Sequence, residues 1–173
     1  MRKLLASTVL AAGFALLAIA APGTSVAAST SEPAGQKNIV QTAAADRRFT
    51  TLVSLVQRAG LADALSGGTK LTLFAPTNAA FKKVPKATLR KLLHNRAALR
   101  RVLLYHVVAG DLKAKQLVRL RTVQTLAGPR VRIQIRNGNV FLDNRRTRVV
   151  KADIAATNGT IHVINRVLLP PAR

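Results

Sequence analysis

The clearest periodicity in the chain starts at Asp46, a residue suited to cap the start of a helix. Phe49, Leu52, Val53 and Val56 then recur at helical spacing and stop at Gly60, which suits a helix C-terminus. Lys70 to Ala75 alternates as a short strand that ends at Pro76, after which Thr77 or Asn78 can cap a short helix through Phe81. Two further helices are predicted, over about Lys86–Leu93 and Arg96–Tyr105, with Leu92, Leu99, Val102, Leu103 and Val107 supplying the apolar stripe. Past Gly110 the period changes.

From Val123 onward the pattern is that of strands. Arg130 to Arg136 alternates strictly, so Val131, Ile133 and Ile135 face a core while Arg130, Arg132, Gln134 and Arg136 face outward. Asn137-Gly138 is a strong two-residue hairpin signal leading into Val140-Phe141-Leu142. More strands are predicted over about Thr147–Lys151 and Thr160–Leu168, before Pro170-Pro171 halts the pairing. Helices come mostly first and strands mostly last. That order predicts an α+β domain with an antiparallel sheet, not a βαβ nucleotide-binding fold.

The N-terminal segment follows a different plan. Met1-Arg2-Lys3 is a short positive start, Val9 to Ala21 is apolar or small, and Pro22-Gly23 breaks any helix ahead of Ser25-Val26-Ala27. This is the layout of a signal peptide over residues 1–27, cut after Ala27 or one residue later. The run is diluted by Ser7, Thr8 and Gly13 and is short of the ~20 strongly apolar residues a membrane span needs. With no cysteine to carry a lipid at the cut, the expected product is secreted, extracellular or periplasmic, without a transmembrane anchor. Residues 28–37 read as a flexible polar arm and residues 38–173 as one domain, expected to be monomeric. Charge changes the picture more than length does. The chain carries 28 Lys and Arg against six Asp and Glu, a net charge of +22, and only Arg2 and Lys3 of that excess lie in the leader. Such a domain attracts polyanions such as acidic polysaccharide, anionic lipid or released nucleic acid.

Three segments together resemble the fasciclin domain family. They are Thr72-Leu73-Phe74-Ala75-Pro76-Thr77-Asn78-Ala79-Ala80-Phe81, then Leu104-Tyr105-His106-Val107-Val108, then Ala152 to Pro170 with Asp153-Ile154 and Asn158-Gly159-Thr160-Ile161-His162-Val163-Ile164-Asn165 inside it. The resemblance covers the chain from about Asn38. It implies a wedge of two β-sheets with helices packed around it, in which the first and last segments lie side by side as core strands. It also implies a secreted or surface adhesion module with no catalytic role and no cofactor. In animal members the tyrosine-histidine region and an Asp-Ile pair are linked to integrin binding, which makes Tyr105, His106, Asp153 and Ile154 the candidate partner-binding residues here. Two positions depart from the family pattern: Asn165 stands where Asp is usual, and the tight turn Asn144-Arg145 where Asn-Gly is common. The basic excess is not a family feature.

Reading the residues for chemistry points the same way. His94, His106 and His162 have no second histidine or carboxylate at the spacing of a familiar zinc motif, so no metal is predicted. His106 and His162 fall in apolar surroundings and read as structural, His94 as exposed. Ser54 and Ser66 lack a nucleophile elbow, nothing in the sequence pairs two of the six acids, and Gly67-Gly68 precedes a strand where a phosphate loop would follow one. Phe49, Phe74, Phe81, Tyr105 and Phe141 occupy core-like positions, so sequence-specific nucleic-acid binding is not expected. Lys82, Lys86 and Arg90 recur at four-residue spacing and read as a solvated face. For Arg130, Arg132, Arg136, Arg145, Arg146 and Arg148 two readings stand side by side: a patch for an acidic polymer, since guanidinium groups pair bidentately, or a surface that keeps a cationic protein soluble. The expected partner is accordingly a surface protein or an acidic polymer.

Overall fold

The structure, a computed structural model, describes residues 37–143 and 146–171. The leader, the arm as far as residue 36, and the turn residues Asn144 and Arg145 lie outside the described residues. Asn38 and Gln41 exchange side-chain-to-backbone hydrogen bonds and start α1 (Ile39–Ala44). Asp46 is an N-cap, as expected, but of a single 3₁₀ turn at Arg47–Phe49 that runs into α2 (Thr50–Ala59). Gly60 closes α2 at φ +65°, a left-handed conformation that glycine adopts without a Cβ clash. Leu52, Leu55, Val56 and Ala59 face inward, each large side chain stabilising the fold by about 1.5–3 kcal/mol.

The remaining elements follow in order as α3 (Ala62–Ser66), β1 (Leu71–Pro76), α4 (Asn78–Lys82), α5 (Lys86–His94), α6 (Arg96–Tyr105), β2 (Val107–Ala109), α7 (Ala114–Leu117), β3 (Thr122–Gln124), β4 (Arg130–Arg136), β5 (Asn139–Leu142), β6 (Thr147–Ala156) and β7 (Gly159–Ile164). Thr77 caps α4 by accepting from the Ala80 N–H. The predicted β4–β5 hairpin is present, with Asn137 at φ +48° and Gly138 at φ +71° in its turn. Ser66 ends α3 instead of standing in a loop, and Lys82 belongs to a different helix from Lys86 and Arg90, so those three do not form one helical stripe.

The strands form a seven-stranded sheet in the order β2-β1-β7-β6-β5-β4-β3. All pairs are antiparallel except β1 and β7, which run parallel from Leu71↔Gly159 to Pro76↔Ile164. The antiparallel sheet expected from residue patterns is therefore corrected at β1 and β7, where two strands distant in sequence meet. The family resemblance had implied that adjacency. β6 is twice as long as a typical strand; it pairs with β5 at its start and β7 along the rest, with two register shifts between Val149 and Ile154. Those irregularities let one strand serve both halves of the sheet. The far edges approach each other through a Val108↔Thr125 bridge and a Leu126 N–H···O=C Val107 bond of 2.8 Å, so the sheet curls almost closed.

Alternation along β1 and β7 assigns their two faces to two cores. Leu71, Leu73, Ala75, Ile161 and Val163 pack with Phe49, Leu52, Leu99 and Leu103 from the helices. Phe74 and Ile164 pack on the opposite side with Val131, Ile133, Val140 and Leu142, inside the curl of the sheet. Every residue of β1 and β7 is buried, whereas β4 and β5 bury one face only. Gly159 makes the close approach at the head of the parallel pair: a Cβ there would sit 1.7 Å from the Leu71 carbonyl oxygen, and its φ is +146°.

Candidate binding surface

The buried end of α6 carries the first pair of candidate residues. Leu99, Val102 and Leu103 form its inward stripe, and His106 continues it one turn on, so the ring enters the core with 1% exposure. Its Nδ1 lies 2.8 Å from the Val102 carbonyl and its Nε2 lies 2.9 Å from the Leu168 N–H. A carbonyl can only accept and an N–H only donate, which makes His106 the neutral Nδ1–H tautomer. Burial holds its pKa down to about 4. Tyr105 is 2% exposed and packs in the inner core; burial raises its phenol pKa, with the charge of Asp143 adding to the shift. Neither side chain offers a surface to a partner. They fasten α6 to the tail after β7.

Asp153 and Ile154 lie at the irregular stretch of β6. Asp153 has φ +58°, exposes its side chain, and accepts the Ala114 N–H at 2.8 Å through Oδ1, holding the start of α7. Its own N–H donates to His162 Nδ1 at 3.3 Å, and His162 Nε2 donates to the Leu112 carbonyl at 2.7 Å. His162 is thus the opposite tautomer from His106, and burial lowers its pKa as well. Thr72 and Thr160, its neighbours on the same strand face, hold the same loop: Thr72 Oγ1 donates to the Gly110 carbonyl and accepts from Leu112, and Thr160 Oγ1 donates to the Asp111 carboxylate. Ile154 is half-buried against the helical core. Sequence reading missed this network because its members come from four separated segments. For His106 a local signal was present: Leu99, Val102, Leu103 and His106 fall at i, i+3, i+4 and i+7.

Asparagines in the signature segments are also occupied internally. Asn78 accepts from Thr51 and donates to Arg47 and Thr50, locking the start of α2. Asn158, 5% exposed, accepts from Ile39 and donates to the Leu65 and Gly67 carbonyls. Asn165 accepts the Arg148 N–H at 2.9 Å, a bond that needs the side-chain oxygen but no charge, so the departure from Asp leaves it intact.

The outward groups are of another kind. On β4, Arg130, Arg132 and Arg136 are exposed while Val131 and Ile133 are buried. Phe141 of β5 is paired with Gln134 on one side and Arg148 of β6 on the other, and Arg146 is exposed beside it. Pairing therefore brings Arg130, Arg132, Arg136 and Arg148 to one sheet face around the half-buried Phe141, and it sets the β6 turn beside the hairpin. Arg145, grouped with them from sequence, lies outside the described residues. Among the described residues the one ion pair is Arg48–Asp46 at 2.6 Å, away from this face; it lowers the Asp46 pKa to about 2. Of the five described acids, Asp46, Asp111 and Asp153 accept hydrogen bonds through their carboxylates.

This topology, with its two opposed histidines and parallel signature strands, defines a fasciclin fold. The fasciclin domain model matches residues 47–170, and the chain belongs to that family, which includes adhesion-related proteins. It is 42% identical over 132 residues to transforming growth factor-beta-induced protein ig-h3 of Sus scrofa, covering 73% of this chain and 18% of that protein. It is 33% identical over 190 residues to immunogenic protein MPB70 of Mycobacterium bovis, covering 96% of each. Among solved structures, a FAS1 domain pair from the insect cell adhesion molecule fasciclin I superimposes with a TM-score of 0.67 at 19% identity, covering 78% of this chain and 51% of that one. No helix among the described residues is long and apolar enough to cross a membrane.

Proposed function

We propose that this protein is exported by cleavage of its leader and acts as a non-catalytic adhesion or binding module at the cell surface or in the extracellular matrix. The observation that carries this reading is the division of polar groups. Two of the three histidines, His106 and His162, are buried, neutral and bonded at both ring nitrogens, so neither has a free site for a proton in transit. On the outer face of β4 to β6 the exposed charged groups are Arg130, Arg132, Arg136 and Arg148, which bind without reacting.

Two measurements test the reading. The mass of the product released by the producing cells is expected to lack residues 1–27; a membrane-bound form that retains Met1 would overturn the export claim. Labelled purified protein is expected to bind envelope fractions saturably, with heat-unfolded protein as the control. No saturable binding at either low or high salt would overturn the module claim.

A further inference from the structure

We infer that the outer face of β4, β5 and β6 is a binding track for a linear acidic polysaccharide, with Arg130, Arg132, Arg136 and Arg148 as its carboxylate- or sulfate-binding groups. The inference names the partner class of the binding module proposed above and rests on that reading. The geometry is linear. Residues two apart on a strand are about 6.6–6.8 Å apart, so Arg130, Arg132 and Arg136 extend over about 20 Å along one strand. Arg148 stands two strands away, on the rung occupied by Gln134 and Phe141, which sets it about 9–10 Å to the side of that line. A row with one flanking group follows a chain that carries its charges at intervals. A single compact phosphate would engage at most two of these four.

Three further observations support an acidic sugar polymer. The guanidinium fork matches carboxylate and sulfate bidentately, and among the described residues none of these four arginines makes an ion pair. Phe141, held between Gln134 and Arg148, places an aromatic surface inside the charged row. A hollow of about 310 Å³ lined by Gln134, Ile135, Arg136 and Phe141 lies beside it, mixing apolar and polar groups as a sugar ring does. Binding a single-stranded nucleic acid by base stacking would call for several aromatics, and this face has one.

The test measures binding of the purified full-length protein to immobilised heparin and to alginate oligosaccharide, two acidic polysaccharides, in comparison with phosphatidylglycerol vesicles and short single-stranded DNA. Replacing Arg130, Arg132, Arg136 and Arg148 with Gln is expected to weaken polysaccharide binding about tenfold or more, since each exposed pair contributes modestly and four act together. Replacing the exposed Lys82, Lys86, Arg90 and Arg100 with Gln removes the same charge from the helices and is expected to weaken it by less than about threefold. A third variant, R132K/R148K, keeps the charge but removes two forks; a loss of several-fold is expected, about 3 to 5. It retains both long side chains, so it reports even if the fourfold variant is poorly folded. Equal loss in the two fourfold variants would overturn the inference, as would tighter binding to vesicles or DNA than to polysaccharide. If the polysaccharide track fails while envelope binding persists, the module reading survives and this inference alone falls.

Discussion

The β1–β7 pair and the β4–β5 hairpin use the same alternating pattern for opposite ends. In β1 and β7 both faces are buried, one against helices and one inside the curled sheet, so every polar side chain there must find a protein partner. Thr72, Thr160 and His162 do so by gripping the loop at Gly110–Leu112. In β4 and β5 one face is buried and the other meets solvent, so the outward positions are released from any packing demand. On β4 three of the four are arginine, Gln134 being the fourth, and on β5 they are Asn139 and Phe141. Most of the signature residues hold the fold, with Asp153 an exposed exception, whereas the outward residues of the hairpin carry no packing role.

Breaking the first region should have the largest effect. Gly159→Val puts a branched side chain where even a Cβ would lie 1.7 Å from the Leu71 carbonyl. Loss of more than about 4 kcal/mol is expected, read as failure to fold in a denaturant titration. Next comes acid. With His106 held to about 4 against an unfolded value of 6.5, the unfolded chain takes up this proton first as pH falls. The stability it contributes is complete above pH 6.5 and is lost as pH falls through 4, a drop on the order of 3 kcal/mol. Urea midpoints from pH 7 to 4 check this, and His106→Leu should flatten that limb while lowering stability at pH 7 by about 1–3 kcal/mol through the unpaired Leu168 N–H. His162, lowered in the same direction, adds to the slope in both proteins.

In the hairpin the effects shrink. Gly138→Val forces a β-branched residue to φ +71° and should cost about 1–2 kcal/mol, measurable as a lower midpoint with an unchanged spectrum. The smallest change in stability is expected for the Arg130, Arg132, Arg136 and Arg148 to Gln variant. Its melting curve should stay within about 0.5 kcal/mol of the parent, because these exposed residues have no ion-pair partner among the described residues. A larger drop would show that the face is part of the scaffold after all and would erase the contrast.

Much of this was legible from residue order. α6, the strand before Pro76 and the Asn137-Gly138 hairpin follow from local periodicity and turn chemistry, because each is long or marked enough to carry its own signal. α1, α3, α7, β2 and β3 were not separately predicted, since three to six residues do not establish a period. That β1 and β7 lie side by side follows from the resemblance, but their parallel direction does not; the order of helices and strands gives only the antiparallel expectation. Asp153 is the clearest case of information that local sequence lacks: its left-handed φ and its bond to Ala114 arise where β6 changes register, a feature set by strands elsewhere in the sheet. Tyr105 and His106 were legible as a motif but misplaced as a surface, because the motif was read by analogy while the helical stripe beneath it pointed inward.

The division between an internally committed core and an outward basic face can be tested in one measurement, the amide chemical-shift map of the protein titrated with a short alginate oligosaccharide. Shifts are expected to concentrate at residues 130–136, Phe141 and Arg148, with the amides of β1, β7, Tyr105 and His106 unmoved. Shifts centred on residues 105–112 and 153–154, with the hairpin face silent, would contradict it.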